Sequence, residues 1–598
     1  MKKLFCCSLI LLLGCSVAMA VPAEKRWHTY TLPDGTKMEL MLTGDEHGHW
    51  FKARDGRCYD IQTDITRSGG FEIRPLSDNE LQQRKAQAAE RRAAANVSRS
   101  NLAPSHPRTH APSMKTPTHY TGERKGLFIL VEFPEQPFSR PDIKTVYDSI
   151  CNYRNYRTPP YCGSVHDYFY EQSDGQFDLT FDIVGPIMAE HNEGYYGTNG
   201  SMGGIDGMVQ ALVIQAVNEV ADSVDFTQYD WDGDGEADQV FLLYAGYGEA
   251  QGGPSWTIWP CEGRLSKQGG VRDLPVVDGI TIDTFACSCE LQGKSGTQID
   301  GIGTICHEFS HCLGFPDFYN ASDFNDFCMD VFDVMDYGAY NGNTYCPSGY
   351  TGYERWYCGW REPVELTEAQ HIADWQPLVN EGETFILYNE GNHDEYYLLE
   401  NRQYVGFDSC LYSHGLVVTH VDYDEYAWEH NQVNTNKNRQ RMLLVPADNI
   451  RDIKTCDTDA FPYTYLNGRR TLDSLTNRSH PRATVYNKNT DGSYFLNKPI
   501  YNIRETGNLA VEFDYLVKPI PPTPTGIPGN EELRMKNEES RSVIYDLLGR
   551  PVSYGANSTR SVSYGANSTR SVSYGANSIC PTSPKPIYIW KGRKYMTR

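Results

Sequence analysis

Apolar positions recur at helical spacing in two stretches and run unbroken in several shorter ones. "GIDGMVQALVIQAVNEVADSV" (204–224) repeats apolar residues every three or four positions, which predicts a long amphipathic helix. "GLFILVEF" (126–133) and "DQVFLLYAGYG" (238–248) are continuous apolar runs of strand length, the pattern of strands covered on both faces. A second helix is expected in "ICHEFSHCLGFPDFYN" (305–320). Strands mixed with two long helices make residues 120–360 an α+β domain. From residue 361 to 517 the pattern turns to β, in "TFILYNE", "EYYLLENRQ", "HGLVVTHVDYD" and "LAVEFDYL", and predicts a β-sandwich-like domain.

Residues 21–80 read as a separate β segment, with turns at Pro33-Asp34-Gly35 and Arg54-Asp55-Gly56. Residues 81–119 are first helix-prone, basic and of low complexity, then proline-rich, and too poor in large apolar groups to fold alone. They are expected to be an exposed linker that offers Arg84, Lys85, Arg91, Arg92, Arg99 and Arg108 to proteases. A second, proline-rich linker covers 518–530. Residues 531–598 carry near-copies of "VSYGANSTR" from Val552, Val562 and Val572. Three polar decapeptides are too few for a solenoid, so this end is expected to be a small β C-terminal module around an expanded loop.

Residues 1–20 combine two lysines, an apolar run and Ala18-Met19-Ala20, a signal peptide cleaved after Ala20. The run is too short to cross a bilayer. Acylation at Cys15 is the alternative reading of "LLGC". Export makes disulfides possible among the 17 cysteines, but their pairing is not legible. The net charge of -23 argues against nucleic acid as a partner. The expected partners are protein or peptide substrates, and export machinery through the signal peptide and possibly the C-terminal module. The expected location is the medium or the cell surface.

His307 and His311 lie four residues apart, one turn of a helix, so their imidazoles can meet one ion. Glu308 sits at the same rim, within reach of a metal-bound water. Gly314 lets the chain turn, and Asp317 returns to supply an oxygen as the third ligand of a zinc (Zn2+) site. Met335 lies in a Met-x-Tyr turn, a feature expected beneath a metzincin zinc site. A helix that merely happens to carry two histidines would not explain the glycine and aspartate at these offsets.

Together, "GTICHEFSHCLGFPDFYN", "DVMDYGAY" and "GYERWYCGW" resemble the immune inhibitor A-like secreted zinc metallopeptidases of bacteria. The resemblance covers roughly residues 27–515, and "TLPDGTKMELMLTGDEHGHW" looks like that family's propeptide. It implies a metzincin-like catalytic domain with an active-site helix and Met-turn. It implies a secreted endopeptidase made as a zymogen, with aspartate as the usual third ligand. Glu308 would take a proton from the zinc-bound water and pass it to the leaving amine. Tyr337 is similar to the tyrosine that can assist the oxyanion; a purely structural role stands beside that. Ser310, where the family commonly has glycine, is a small departure.

Asp230, Asp232, Asp234, Glu236 and Asp238 match positions 1, 3, 5, 7 and 9 of a calcium (Ca2+) loop, but Phe241 replaces the glutamate at position 12. An acidic surface turn is the competing reading. His420 and Asp422 read as a strand rather than a second metal site, and Cys58 could present a thiolate to zinc. A catalytically inactive protease-fold adhesin or binding protein is the alternative function, and a zinc esterase or amidase a third.

Overall fold

The computed structural model describes residues 18–517, apart from 33, 64–70, 100–119, 200–205, 207, 268–272 and 467, together with four short strands between 544 and 596. Two compact units divide the chain, Met1–Ile520 and Pro521–Arg598.

The first unit is mixed α/β. Its central sheet has six strands in the order Ala18–Met19, Cys261–Arg264, Thr284–Leu291, Val240–Tyr247, Gly122–Glu132, Phe177–Met188. The last four run parallel; the two at the other edge pair antiparallel. Val240–Ala245 is buried at every position, which is why its sequence runs apolar without alternation. The expected helix at 204–224 is shorter, Val209–Val220 with a 3-10 turn Ala221–Ser223. Two further helices, Ile143–Asn152 and Val165–Gln172, were not read from the sequence. The first buries Ile143, Tyr147, Ile150 and Cys151, and the second starts on a Ser164–Asp167 capping box.

The amino-terminal strands Trp27–Thr31, Lys37–Asp45, Gly48–Ala53, Cys58–Thr63 and Phe71–Pro75 form one antiparallel meander. The helix-prone stretch is a helix, residues 78–99, but the structure departs from the expected exposed linker by packing it on the strand Gly48–Ala53. Arg84 is buried against Asp60 at 2.8 Å, and Arg92 makes a bidentate pair with buried Asp45. Paired acids draw these arginines inward, so a basic composition does not mean an exposed segment here. Residues 100–119 lie outside the described residues.

Beyond residue 361, a five-stranded and a three-stranded sheet share a core that includes Trp375, Phe385, Leu399, Val418, Val511 and Phe513. Alternate residues of the larger sheet, such as Ile386, Leu398, Val417 and Val421, join the core of the central sheet instead. Gly415–Asp422 is therefore buried along its whole length. In the second unit, two separate hairpins pair Ile544–Tyr545 with Pro551–Val552, and Ile587–Trp590 with Arg593–Met596. The repeats after Val552 lie outside the described residues.

Candidate metal centre

The helix Gly303–Cys312 packs over strands Thr284–Leu291 and Cys261–Arg264 and buries both histidines and Glu308. It stops where Gly314 adopts φ +100°, a conformation open to glycine, and the Gly314 N–H closes on His311 O at 2.8 Å. The reversed chain returns Asp317 to the histidines.

Each imidazole is oriented by a carbonyl. His307 Nδ1 meets Val334 O at 2.6 Å and His311 Nδ1 meets Phe315 O at 2.8 Å. A carbonyl only accepts, so both Nδ1 atoms carry the proton and both Nε2 lone pairs are free. Those Nε2 atoms lie 3.1 Å apart, and each is 3.3 Å from Asp317 Oδ1. Asp317 Oδ1 is buried with no hydrogen-bond donor, while its Oδ2 and backbone N–H are both held by Asn431, at 2.6 and 2.7 Å. Two neutral nitrogens and a carboxylate oxygen converging on one point suit zinc. Burial works to raise Asp317, but the two imidazoles beside it outweigh burial and hold its carboxyl below the usual range. Burial lowers His307.

Glu308 lies beside these ligands, fully buried, and burial pushes its carboxyl well above the usual range. Its Oε1 accepts from the backbone N–H of Val21 at 2.8 Å; its Oε2 has no partner. The amino-terminal segment therefore runs through this site. Ala18–Met19 pairs antiparallel with Glu262 and Gly263 on the edge strand. Ala20 O accepts from Tyr319 Oη at 2.9 Å, Val21 O from Trp259 Nε1 at 3.1 Å, and Pro22 O from Tyr340 Oη at 2.6 Å. Glu24 N–H then reaches Ala250 O at 2.9 Å.

Met335 is buried and its carbonyl accepts from Phe318 N–H at 2.9 Å. Tyr337 is buried beside Tyr319 and Phe324, with the Lys25 ammonium 3.5 Å from its ring centre. Sequence reasoning passed over Tyr319 and Asn431. Tyr319 stood within the quoted motif, two residues after Asp317; Asn431 is 114 residues away and left no local signal.

Cys58 is half-buried and bonds Gly56 O at 3.7 Å, with Lys52 and Lys85 for company rather than the zinc ligands. The buried Glu46–His47 turn is the part of the meander that feels the charge of Asp317.

Among the described residues, the other acidic group close enough to hold an ion is Asp230, Asp232 and Asp234. Asp230 accepts from the N–H groups of Gly233, Asp234 and Gly235, at 2.8, 3.1 and 3.0 Å. Burial first, then the three neighbouring aspartates, raise Asp238 to about 7, against the N–H of Trp231. The Glu236 side chain instead pairs with Arg264. His420 bonds Glu395 at 2.9 Å and Asp422 pairs with Arg439 and Arg441, so neither joins a metal group. No helix among the described residues is long and apolar enough to cross a membrane.

Residues 123–361 match the family model described as immune inhibitor A peptidase M6, catalytic domain. Pre-pro-metalloprotease PrtV from two strains of Vibrio cholerae serotype O1, M66-2 and ATCC 39315 / El Tor Inaba N16961, is 23% identical over 236 residues. That alignment covers 33% of this chain and 25% of the relative, so the chain spans about a quarter of the length of these relatives.

Proposed function

We propose, from the match of residues 123–361 to the immune inhibitor A peptidase M6 catalytic domain, that this protein is a secreted zinc endopeptidase that hydrolyses extracellular proteins and is made as a zymogen. The observation that carries the reading is the convergence of His307 Nε2, His311 Nε2 and Asp317 Oδ1 within 3.3 Å, beside a buried Glu308 that already touches a peptide N–H. Zinc held by these three residues would supply Lewis acidity to a substrate carbonyl and to the attacking water. Glu308 is the proton carrier. Its place beside the ligands, with Oε1 already accepting a peptide N–H from Val21 at 2.8 Å, suits it to take a proton from water and give it to the leaving nitrogen. The turn Asp333–Tyr337 would act as the Met-turn: its Val334 carbonyl orients His307, and Met335 within it is buried.

The zymogen reading rests on the segment that fills the cleft. Signal cleavage after Ala20 would leave the Val21 amine against Glu308, with Trp259, Tyr340 and Ala250 still holding the chain. Arg84 and Arg92 are tied down, so the activating cut is proposed beyond residue 99. Calcium in the Asp230–Asp238 loop is part of the proposal, since it would neutralise carboxylates that otherwise repel each other. An inactive adhesin is disfavoured by the intact set of His307, Glu308, His311 and Asp317.

The test is hydrolysis of casein by the proteolytically activated protein with two chelators. A zinc-selective chelator should abolish hydrolysis, and added zinc should restore it. A calcium-selective chelator should lower the melting temperature, with calcium restoring it. Hydrolysis indifferent to zinc removal would refute the metallopeptidase reading; a melting temperature indifferent to calcium would remove the loop from it.

A further inference from the structure

The amino-terminal segment lies across the site as a peptide, and two side chains grip its Ala20–Val21 bond from opposite ends. Glu308 takes the N–H at 2.8 Å, and Tyr319 Oη donates to the carbonyl oxygen at 2.9 Å. The flanking contacts are of the kind any peptide could make. Residues 18 and 19 add a strand to the edge Cys261–Arg264, and the carbonyls of Val21 and Pro22 meet Trp259 and Tyr340. Ala20 and Val21 are completely buried. A bond whose nitrogen sits on the proposed proton carrier, beside the zinc ligands, occupies the position of a scissile bond.

We infer that Tyr319 is a catalytic residue, the donor to the scissile carbonyl oxygen and to the oxyanion that forms from it. The inference rests on the peptidase reading of Glu308 and the zinc ligands, and adds to it a residue that the motif does not name. In the addition step, water oxygen bonds to the carbonyl carbon, its proton passes to Glu308, and the carbonyl π pair moves onto the oxygen that Tyr319 faces. In the collapse step, that pair returns, the C–N bond breaks, and the nitrogen takes the proton from Glu308. The products are a carboxylic acid and an amine, with no atom unaccounted for. Tyr319 strengthens its hydrogen bond as charge develops, so it stabilises the transition state more than the bound substrate.

The backbone around Tyr319 is fixed in advance. Asp317 N–H is held by Asn431, Phe318 N–H by Met335 O at 2.9 Å, and Phe318 O by Asn434 Nδ2 at 2.6 Å. The ring is buried against Phe324 and Tyr337. A donor held this way needs little reorganisation during the reaction. Tyr337, the residue singled out from the sequence, packs against Tyr319 and Lys25; the hydroxyl on the Ala20 carbonyl belongs to Tyr319.

The test compares activated wild type, Tyr319→Phe and Glu308→Gln on one peptide substrate. Tyr319→Phe should lower kcat by roughly 10²–10³-fold with KM little changed and zinc content intact, the size expected for losing one oxyanion donor. The affinity of a phosphinic peptide, a tetrahedral mimic, measured calorimetrically on Glu308→Gln protein, should fall by a similar factor when Tyr319→Phe is added. Wild-type kcat and inhibitor affinity in Tyr319→Phe would overturn the inference while leaving the peptidase reading intact. An inactive wild type would instead refute that reading. A crystal structure of the wild-type enzyme with the same inhibitor decides the matter without substitution. Tyr319 Oη should lie within about 3 Å of a phosphinyl oxygen; an oxygen out of its reach would also overturn the inference.

Discussion

Asn431 shows how much of a metal centre can depend on one side chain distant in sequence. Its amide spans Asp317, accepting from the backbone N–H and donating to Oδ2, and so leaves only Oδ1 for the ion. Removing such an outer partner typically costs 10–100-fold in metal affinity. Asn431→Ala should therefore weaken zinc by roughly that factor in competition with a fluorescent chelator. Unchanged affinity would mean that the turn after Gly314 orients Asp317 unaided. The contrast with the ligands is instructive. His307 and His311 were legible because helical spacing alone brings them together. Asn431 reaches Asp317 from a different element, through tertiary packing that no local pattern encodes. Tyr319 was missed for another reason: a tyrosine near a motif is unremarkable until a peptide carbonyl is found on its hydroxyl.

At the scale of elements, the amino-terminal segment depends on a carboxyl in an unusual setting. Burial raises Glu24 from 4.5 to about 7, opposed by Arg26 and reinforced by Asp300, with Tyr340 also facing it. The docked state thus binds a proton more tightly than the released one. Docking is at full strength below about 4.5 and weakens as pH rises towards about 7. Between pH 5 and 7.5 the cleaved amino-terminal piece should lose roughly 50-fold in affinity through this group alone, by linkage. Because docking lowers His28 to about 4 and so acts in the opposite sense in both proteins, the change in affinity between the two pH values should differ by that factor between wild type and Glu24→Gln; equal pH dependence in the two would exclude Glu24 as its source. The meander at 27–75 was readable from its turn residues. The helix Asp78–Arg99 was legible as a helix-prone stretch, but its docking was obscured, because its arginines look solvated until Asp45 and Asp60 are seen opposite them. The β-rich region was legible as strands. Its burial on both faces was not, since that depends on a neighbouring core.

At the scale of the whole molecule, residues 123–361, the amino-terminal meander and the following β sheets belong to one unit, Met1–Ile520, with a shared core. The sequence divided this region into segments because composition shifts mark changes of pattern, and long-range packing carries no such mark. The central claim is that Glu308 moves protons while His307, His311 and Asp317 hold the metal. The geometry separates those tasks: Glu308 lies outside the trio of converging donor atoms and touches a peptide nitrogen instead. The most direct measurement is therefore zinc content and peptide hydrolysis on the same activated preparation of Glu308→Gln. The account predicts about one zinc per chain, as in wild type, with hydrolysis reduced at least 10²-fold, the lower end for a general acid–base group. Zinc retained together with hydrolysis near the wild-type rate would contradict it.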